Sequence, residues 1–304
     1  MYSLGGGSAR ASAVNYDGEK VVGVITAGST PEVVISDPDS RVIIKASSDG
    51  NIHVIDRSRM HGFFFGAPHQ MAVPRITRTA LGVRIDRASS QSGFTVFGDT
   101  TQRLEVDVPM DANVDIQQSS GDEVAGIHGT LRVRSQSGHI ALADLQGTVD
   151  AQSNDGYIEA KNVTAPEITL NTNSGHLGLY DVQTGKLVAT TDDGHVTVQR
   201  LQVTGDAASA TIHTNDGTVD FGAKLAPTGH YSIGTNDGRI NVGIPELHTL
   251  AIHARTGDGT IRIDGTRQGS GEGGTSYDSG SELAGSLTLA TDSGRITITS
   301  MGVN

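Results

Sequence analysis

One short phrase recurs along this chain and governs what the chain can fold into. It reads Ser/Thr, polar, Ser/Asp, Gly, any residue, Ile/Val/Leu, any residue, apolar. Its glycines are Gly138, Gly156, Gly175, Gly194, Gly217, Gly238 and Gly259, with a last copy at Gly294 after a gap and looser copies centred on Gly50, Gly93 and Gly121. From Gly121 to Gly259 they step by 17, 18, 19, 19, 23, 21 and 21 residues. Near-constant steps of this size mark a repeat architecture, in which each unit buries its apolar face against the next.

Parity around each glycine tells inside from outside. Apolar residues lie seven and five before it, as in Leu131/Val133 and Ile168/Leu170, and two and four after it, as in Ile140/Leu142 and Val196/Val198. This is a period of two on both sides of a turn. The Ser or Thr three before the glycine shares the inward parity and is expected to line a small hydrogen-bonded corner. A further apolar residue seven after it (Leu145, Val163, Val182, Leu201) precedes a second turn such as Gln146-Gly147. One coil therefore holds at least two strands and two turns.

Two architectures fit. Asn-Asp-Gly between alternating strands can close an antiparallel hairpin, giving a hairpin-rich β-sandwich or barrel. Alternatively, the strands before and after the turn belong to different walls of a coil and pair with their equivalents in neighbouring coils. Identical residues at equivalent positions favour the second, since stacking turns them into ladders. The expectation is an all-β, parallel β-helix-like solenoid with coils of about 17–23 residues. No segment has the apolar spacing of an amphipathic helix, and aromatics at only 4% with 40 Gly suit narrow aliphatic layers and tight turns.

The chain divides into a flexible linker at 1–13, carrying Gly5-Gly6-Gly7-Ser8, and a single solenoid domain at 14–304. Within the latter we expect irregular N-terminal coils and a capping loop at 14–115, regular repeats at 116–264, a Gly/Ser-rich surface loop at 265–285 and a terminal coil at 286–304. Phe63-Phe64-Phe65 is expected in a loop over the open end, or as a partner or membrane-surface contact.

The recurring phrase, entered through Leu104-Glu-Val-Asp-Val-Pro109 and continued by Val114-Asp-Ile-Gln-Gln-Ser-Ser-Gly121, resembles the bacterial putative-adhesin family of β-strand-repeat proteins, the toastrack domain. The resemblance spans roughly Arg41 to Ile298. It implies a β-helix-like domain displayed outside the cytoplasmic membrane behind an anchor, associated with adhesion or envelope-stress sensing. It brings no catalytic motif, and the anchor itself is not in this sequence.

Charge and motifs narrow the chemistry. With 22 Lys+Arg against 34 Asp+Glu, a net charge of −12 and no basic run, nucleic acid is not an expected partner. There is no cysteine, hence no disulfide or thiolate chemistry. No stretch approaches a membrane span. Asp155, Asp193, Asp216, Asp237 and Asp258 beside the glycines read as turn residues, because a calcium-binding nonapeptide rhythm is absent. His139, Tyr157, His176 and His195, each just after a glycine, form an outward column of candidate binding residues, His176 and His195 standing close enough to share a transition metal; the simpler expectation is exposed rungs with no metal. No cofactor is implied. A lyase or glycosidase would need clustered acids, and here they are spread one per coil. The expectation is a non-catalytic extracytoplasmic module contacting a cell-surface protein, a glycan or a second copy of itself, with a polysaccharide-cleaving β-helix enzyme as the alternative.

Overall fold

The computed structural model describes residues 11–65, 72–89, 94–268, 274–280 and 283–300, the side chains of 11–19, 62–65 and 94–98 excepted. The N-terminal strands are β1 (Ala11–Ile25), β2 (Glu32–Ser36), β3 (Arg41–Ala46), β4 (Ile52–Phe65), β5 (Arg75–Arg78), β6 (Gly82–Asp86), β7 (Phe94–Thr101) and β8 (Arg103–Val108). The regular coils contain β9 (Asn113–Gln118), β10 (Asp122–Ala125), β11 (Leu131–Ser137), β12 (Ile140–Gln146), β13 (Val149–Asp155), β14 (Ile158–Ser174), β15 (Leu177–Asp193), β16 (Val196–Val203), β17 (Ser209–Leu225) and β18 (His230–Ile244). The C-terminal strands are β19 (Ala251–Ile263), β20 (Thr266–Gln268), β21 (Thr275–Ser279) and β22 (Ser286–Ser300). Among the described residues the only helical turn is Leu247–Thr249.

The parallel solenoid is what forms, and the hairpin alternative is not. Strands before and after each glycine sit on different walls and pair in register with equivalents in adjacent coils, as Thr214, Asp216, Gly217 and Val219 do with Thr235, Asp237, Gly238 and Ile240. Inward columns run unbroken along the stack. Ile140, Ile158, Leu177, Val196, Val219, Ile240, Ile296 and Ile261 are all buried, and each such side chain contributes about 1.5–3 kcal/mol relative to exposure. The Ser/Thr corner column is buried too, its threonine hydroxyls donating to carbonyls of the neighbouring coil, for example Thr172 to Gly156 O at 3.1 Å and Thr191 to Gly175 O at 3.2 Å.

The turn glycines have a different reason from the one their hairpin-like context suggests. They stack on one another. A β-carbon at Gly194 would lie 1.9 Å from the Gly175 carbonyl oxygen, and one at Gly217 would lie 1.8 Å from that of Gly194. Only a residue without a side chain fits between coils at a parallel-strand spacing. Each regular coil also has a third, short side, entered by a left-handed residue in four successive coils: Asp144, Asn162, Asp181 and Arg200, with φ between 53° and 55°.

Coil order departs from chain order at both ends. β2 lies between β6 and β9, and β3 between β8 and β10, so the first coil is intercalated between the second and third. At the other end β22 inserts between β18 and β19, so the final strand is not the final rung. Antiparallel strands then close the stack: β4 on β8 and β5 on β6 at one end, β20 and β21 on β19 at the other. Such edges block continued parallel stacking.

Three segment expectations change accordingly. Phe63, Phe64 and Phe65 have a strand backbone at the end of β4, paired with β1 and β7, rather than a loop; their side chains lie outside the described residues. The 265–285 segment is not a plain surface loop, since β20 and β21 pair with β19. Residues 11–13 already belong to β1 rather than to a linker. Near the N-terminal cap a buried guanidinium joins two elements: Arg87 Nε stands 3.1 Å from Asp37 Oδ2, and its Nη2 donates to Asp56 Oδ1 at 2.9 Å.

Candidate functional site

On the wall that follows the glycine, even offsets point inward and odd offsets outward. The outward position one after the glycine forms a column across adjacent coils in the order His139, Tyr157, His176, His195, Thr218, Arg239, Arg295 and Thr260. All except the half-buried Tyr157, Thr218 and Thr260 are exposed. The column contains no acid, although the chain carries −12 overall.

Within it, neighbouring rings touch. His176 and His195 stack with centroids 5.0 Å apart and planes 5° from parallel. His139 and Tyr157 lie 4.6 Å apart at 32°. The backbone N–H of His195 donates to His176 Nδ1 at 3.1 Å, and the N–H of Thr218 donates to His195 Nδ1 at 3.2 Å. An Nδ1 that accepts leaves the ring proton on Nε2, which each imidazole can offer outward as a donor. Parallel ring planes also keep the in-plane lone pairs of the two histidines from converging on one point, which is poor geometry for a shared metal ion. Among the described residues no group of three or more His, Asp or Glu side chains is arranged to hold a metal.

Odd offsets three and five extend the patch. Tyr157 donates its hydroxyl to Glu159 Oε2, and Lys161 pairs with Glu159 Oε1. Lys161 Nζ also stands 5.6 Å from the Tyr180 ring centroid. Gly178 opens the space between these rings: a β-carbon there would meet Tyr180 Cε2 at 2.9 Å and Tyr157 Oη at 3.3 Å. Burial and the hydrogen bond to Glu159 raise the Tyr157 phenol, keeping it a proton donor. Burial works against Glu159, but the hydrogen bonds from Lys161 and Tyr157 win and hold it below the usual carboxylate range. His139 is lowered chiefly by burial, with the Glu159 charge opposing. At neutral pH this corner is an ionised carboxylate ringed by fixed donors and aromatic faces.

The structure thus brings His139, Tyr157, His176 and His195 onto one face and adds Tyr180, Glu159 and Lys161, which counting only the residue after each glycine does not find. Their signal was parity, since offsets three and five share the outward side with offset one. Asp155, Asp193, Asp216, Asp237 and Asp258 are exposed along the corner.

These features define a parallel β-solenoid with an acid-free column of polar and aromatic rungs beside its glycine corner. The chain belongs to the family described as Toastrack DUF4097, whose model matches residues 32–299. Among solved structures, it is similar to a putative adhesin from Parabacteroides merdae at 9% identity, over 96% of this chain and 97% of that chain, with a TM-score of 0.38. A putative adhesin from Parabacteroides distasonis gives 9%, 96%, 98% and 0.38 for the same measures, and a putative cell adhesion protein from Clostridium sporogenes gives 10%, 94%, 99% and 0.25. A comparison with curated proteins finds no match.

Proposed function

We propose that this chain is a non-catalytic adhesion or display module on the outer side of a bacterial cytoplasmic membrane, engaging a surface protein or envelope glycan through the column that follows the corner glycines. One observation carries the reading: the rungs from His139 to Thr260 offer imidazole, phenol, hydroxyl and guanidinium groups with no carboxylate, on a chain of net charge −12. On an acidic protein, such a stripe is a place where an acidic polymer meets less repulsion than the net charge would impose. At a strand spacing of about 4.8 Å the column extends about 34 Å, long enough to follow an extended chain. Tyr157 and Tyr180, with Gly178 recessed between them, supply flat apolar surface beside charged and hydrogen-bonding groups. Sensing of envelope polymer would use the same surface, on a single solenoid domain.

An enzyme reading has less to build on. Glu159 is held by Tyr157 and Lys161, and Asp181 by Arg200, so neither is poised to give or take a proton. The test compares wild type with the quadruple variant His176→Ser, His195→Ser, Arg239→Ser, Arg295→Ser on immobilised peptidoglycan, capsular polysaccharide and whole bacterial cells. Retention is expected to fall at least tenfold with the melting temperature little changed. Equal retention by both proteins, or release of reducing ends from any of these polymers, would count against it.

A further inference from the structure

A groove lies on a different side of the coil from that column and arises from one change in backbone length. In the coils of β14, β15 and β16 the chain steps outward at Asn162, Asp181 and Arg200, whose φ values are 53°, 55° and 55°. In β17 the step disappears. Val198 pairs with Phe221 and Leu201 with Ala223, so Gln199 and Arg200 face the single Gly222, and the next coil has Gly243 at the same position. The raised ridge ends at Arg200 and the surface drops, leaving a groove of about 630 Å³ that Pro245 bounds at its far end.

The lining has a recognisable chemistry. Val182, Leu201 and Ala223 form a buried apolar floor. Above it stand the carboxamides of Gln183, Gln199 and Gln202, each able to donate and accept at once, and that of Asn162, whose Nδ2 already donates to Asp144 Oδ1. Vicinal hydroxyls of a sugar ring need that pairing, while the ring's C–H face suits an aliphatic floor. The volume falls within the range of about 300–1,000 Å³ usual for small-ligand sites. The groove's acid is neutralised internally, because Arg200 forks onto Asp181, with Nη2 donating to Oδ2 at 2.6 Å. Lys224 is the remaining cation, exposed and in no ion pair among the described residues. The groove therefore carries one net positive charge on an acidic chain.

The geometry points to this groove as a binding site for a short acidic oligosaccharide, with sugar hydroxyls on the carboxamides and a uronate carboxylate on Lys224. The site is separate from the column after the glycines and stands whether or not that column is a contact surface.

Titration of the whole chain with a panel of di- to tetra-uronates (galacturonate, glucuronate, mannuronate and guluronate), and with their methyl esters, tests it by calorimetry. At least one acid should bind saturably, its methyl ester roughly tenfold more weakly, and Lys224→Ala should weaken the acid by about the same factor. Gln199→Ala is expected to weaken acid and ester alike, and the quadruple column variant should bind as wild type does. Lys224 is exposed, so its truncation should leave the melting temperature unchanged, and a binding loss can be read as a lost contact. Absence of saturable binding across the panel, binding indifferent to Lys224→Ala, or binding abolished in the column variant would each overturn the assignment.

Discussion

At Gly217 a hydrogen atom occupies the space in which a methyl group would collide with the backbone of the next coil, 1.8 Å from the Gly194 carbonyl oxygen. Gly217→Ala should therefore destabilise the chain by about 3 kcal/mol or more, by forcing apart two hydrogen-bonded coils. Gly28→Ala, with nothing within 4 Å of the added carbon, should stay within about 0.5 kcal/mol of wild type. Urea denaturation of the two variants measures the contrast. The glycine's position was legible in the sequence, but its reason was not, because a hairpin turn and a stacked corner both demand glycine. Asp122 was hidden for a related cause. Counted from Gly121 it has outward parity, yet that copy is one residue short, and Asp122 pairs with Ile140 and Val42 in the inward column. Burial pushes its carboxyl up to about 7, against the Ser119 hydrogen bond and the Arg41 charge. The folded chain thus holds a proton that the unfolded chain releases near the ordinary Asp value. Its contribution favours folding most below about pH 4, is lost progressively as pH rises to about 7, and is level above that, a span of up to about 4 kcal/mol. Asp122→Asn should flatten this part of the stability curve; an unchanged difference in denaturation midpoint between pH 4.5 and 8 would show that the carboxyl is not the source.

Among the elements, the aliphatic alternation and the inward Ser/Thr were readable from parity, and every coil from Gly138 onward follows it. The order of coils was not. The phrases at Gly259 and Gly294 are chemically alike, so nothing local specifies that β22 threads between β18 and β19. In the fold β21 runs back along β19, and β22 lies between β18 and β19. A consequence follows for local stability, because opening β22 breaks hydrogen bonds on both sides whereas β21, among the described residues, has one ladder neighbour, the antiparallel β19. Hydrogen exchange followed by mass spectrometry should find the amides of Leu287–Ala290 better protected than those of Thr275–Ser279, despite lying nearer the end of the chain. Faster exchange in Leu287–Ala290 would mean the terminal strand is a frayed rung. The strand conformation of Phe63–Phe65 was missed for a different reason. Three like residues show no alternation, and their pairing partners, β1 and β7, are distant in sequence.

For the whole molecule, stacking converts single residues into surfaces. One outward residue per coil is a point in the sequence, but eight stacked positions make an acid-free stripe, and the loss of one residue between β16 and β17 makes a groove. His139, Tyr157, His176 and His195 were visible by their place in the phrase. Arg295 became part of the same surface only once β22 was found beside β18, where it pairs with Arg239. The groove left no motif because it is a difference between coils rather than a property of any one. Hydroxyl-radical footprinting of the chain bound to the envelope polymer that retains it is the most direct test of the stripe. Protection should run along the rungs at Tyr157, His176, His195, Arg239 and Arg295, leaving the β20–β21 cap and the β1 edge as reactive as in the free chain. Protection confined to the cap or to β1, with the stripe unchanged, would contradict the stripe as the contact surface.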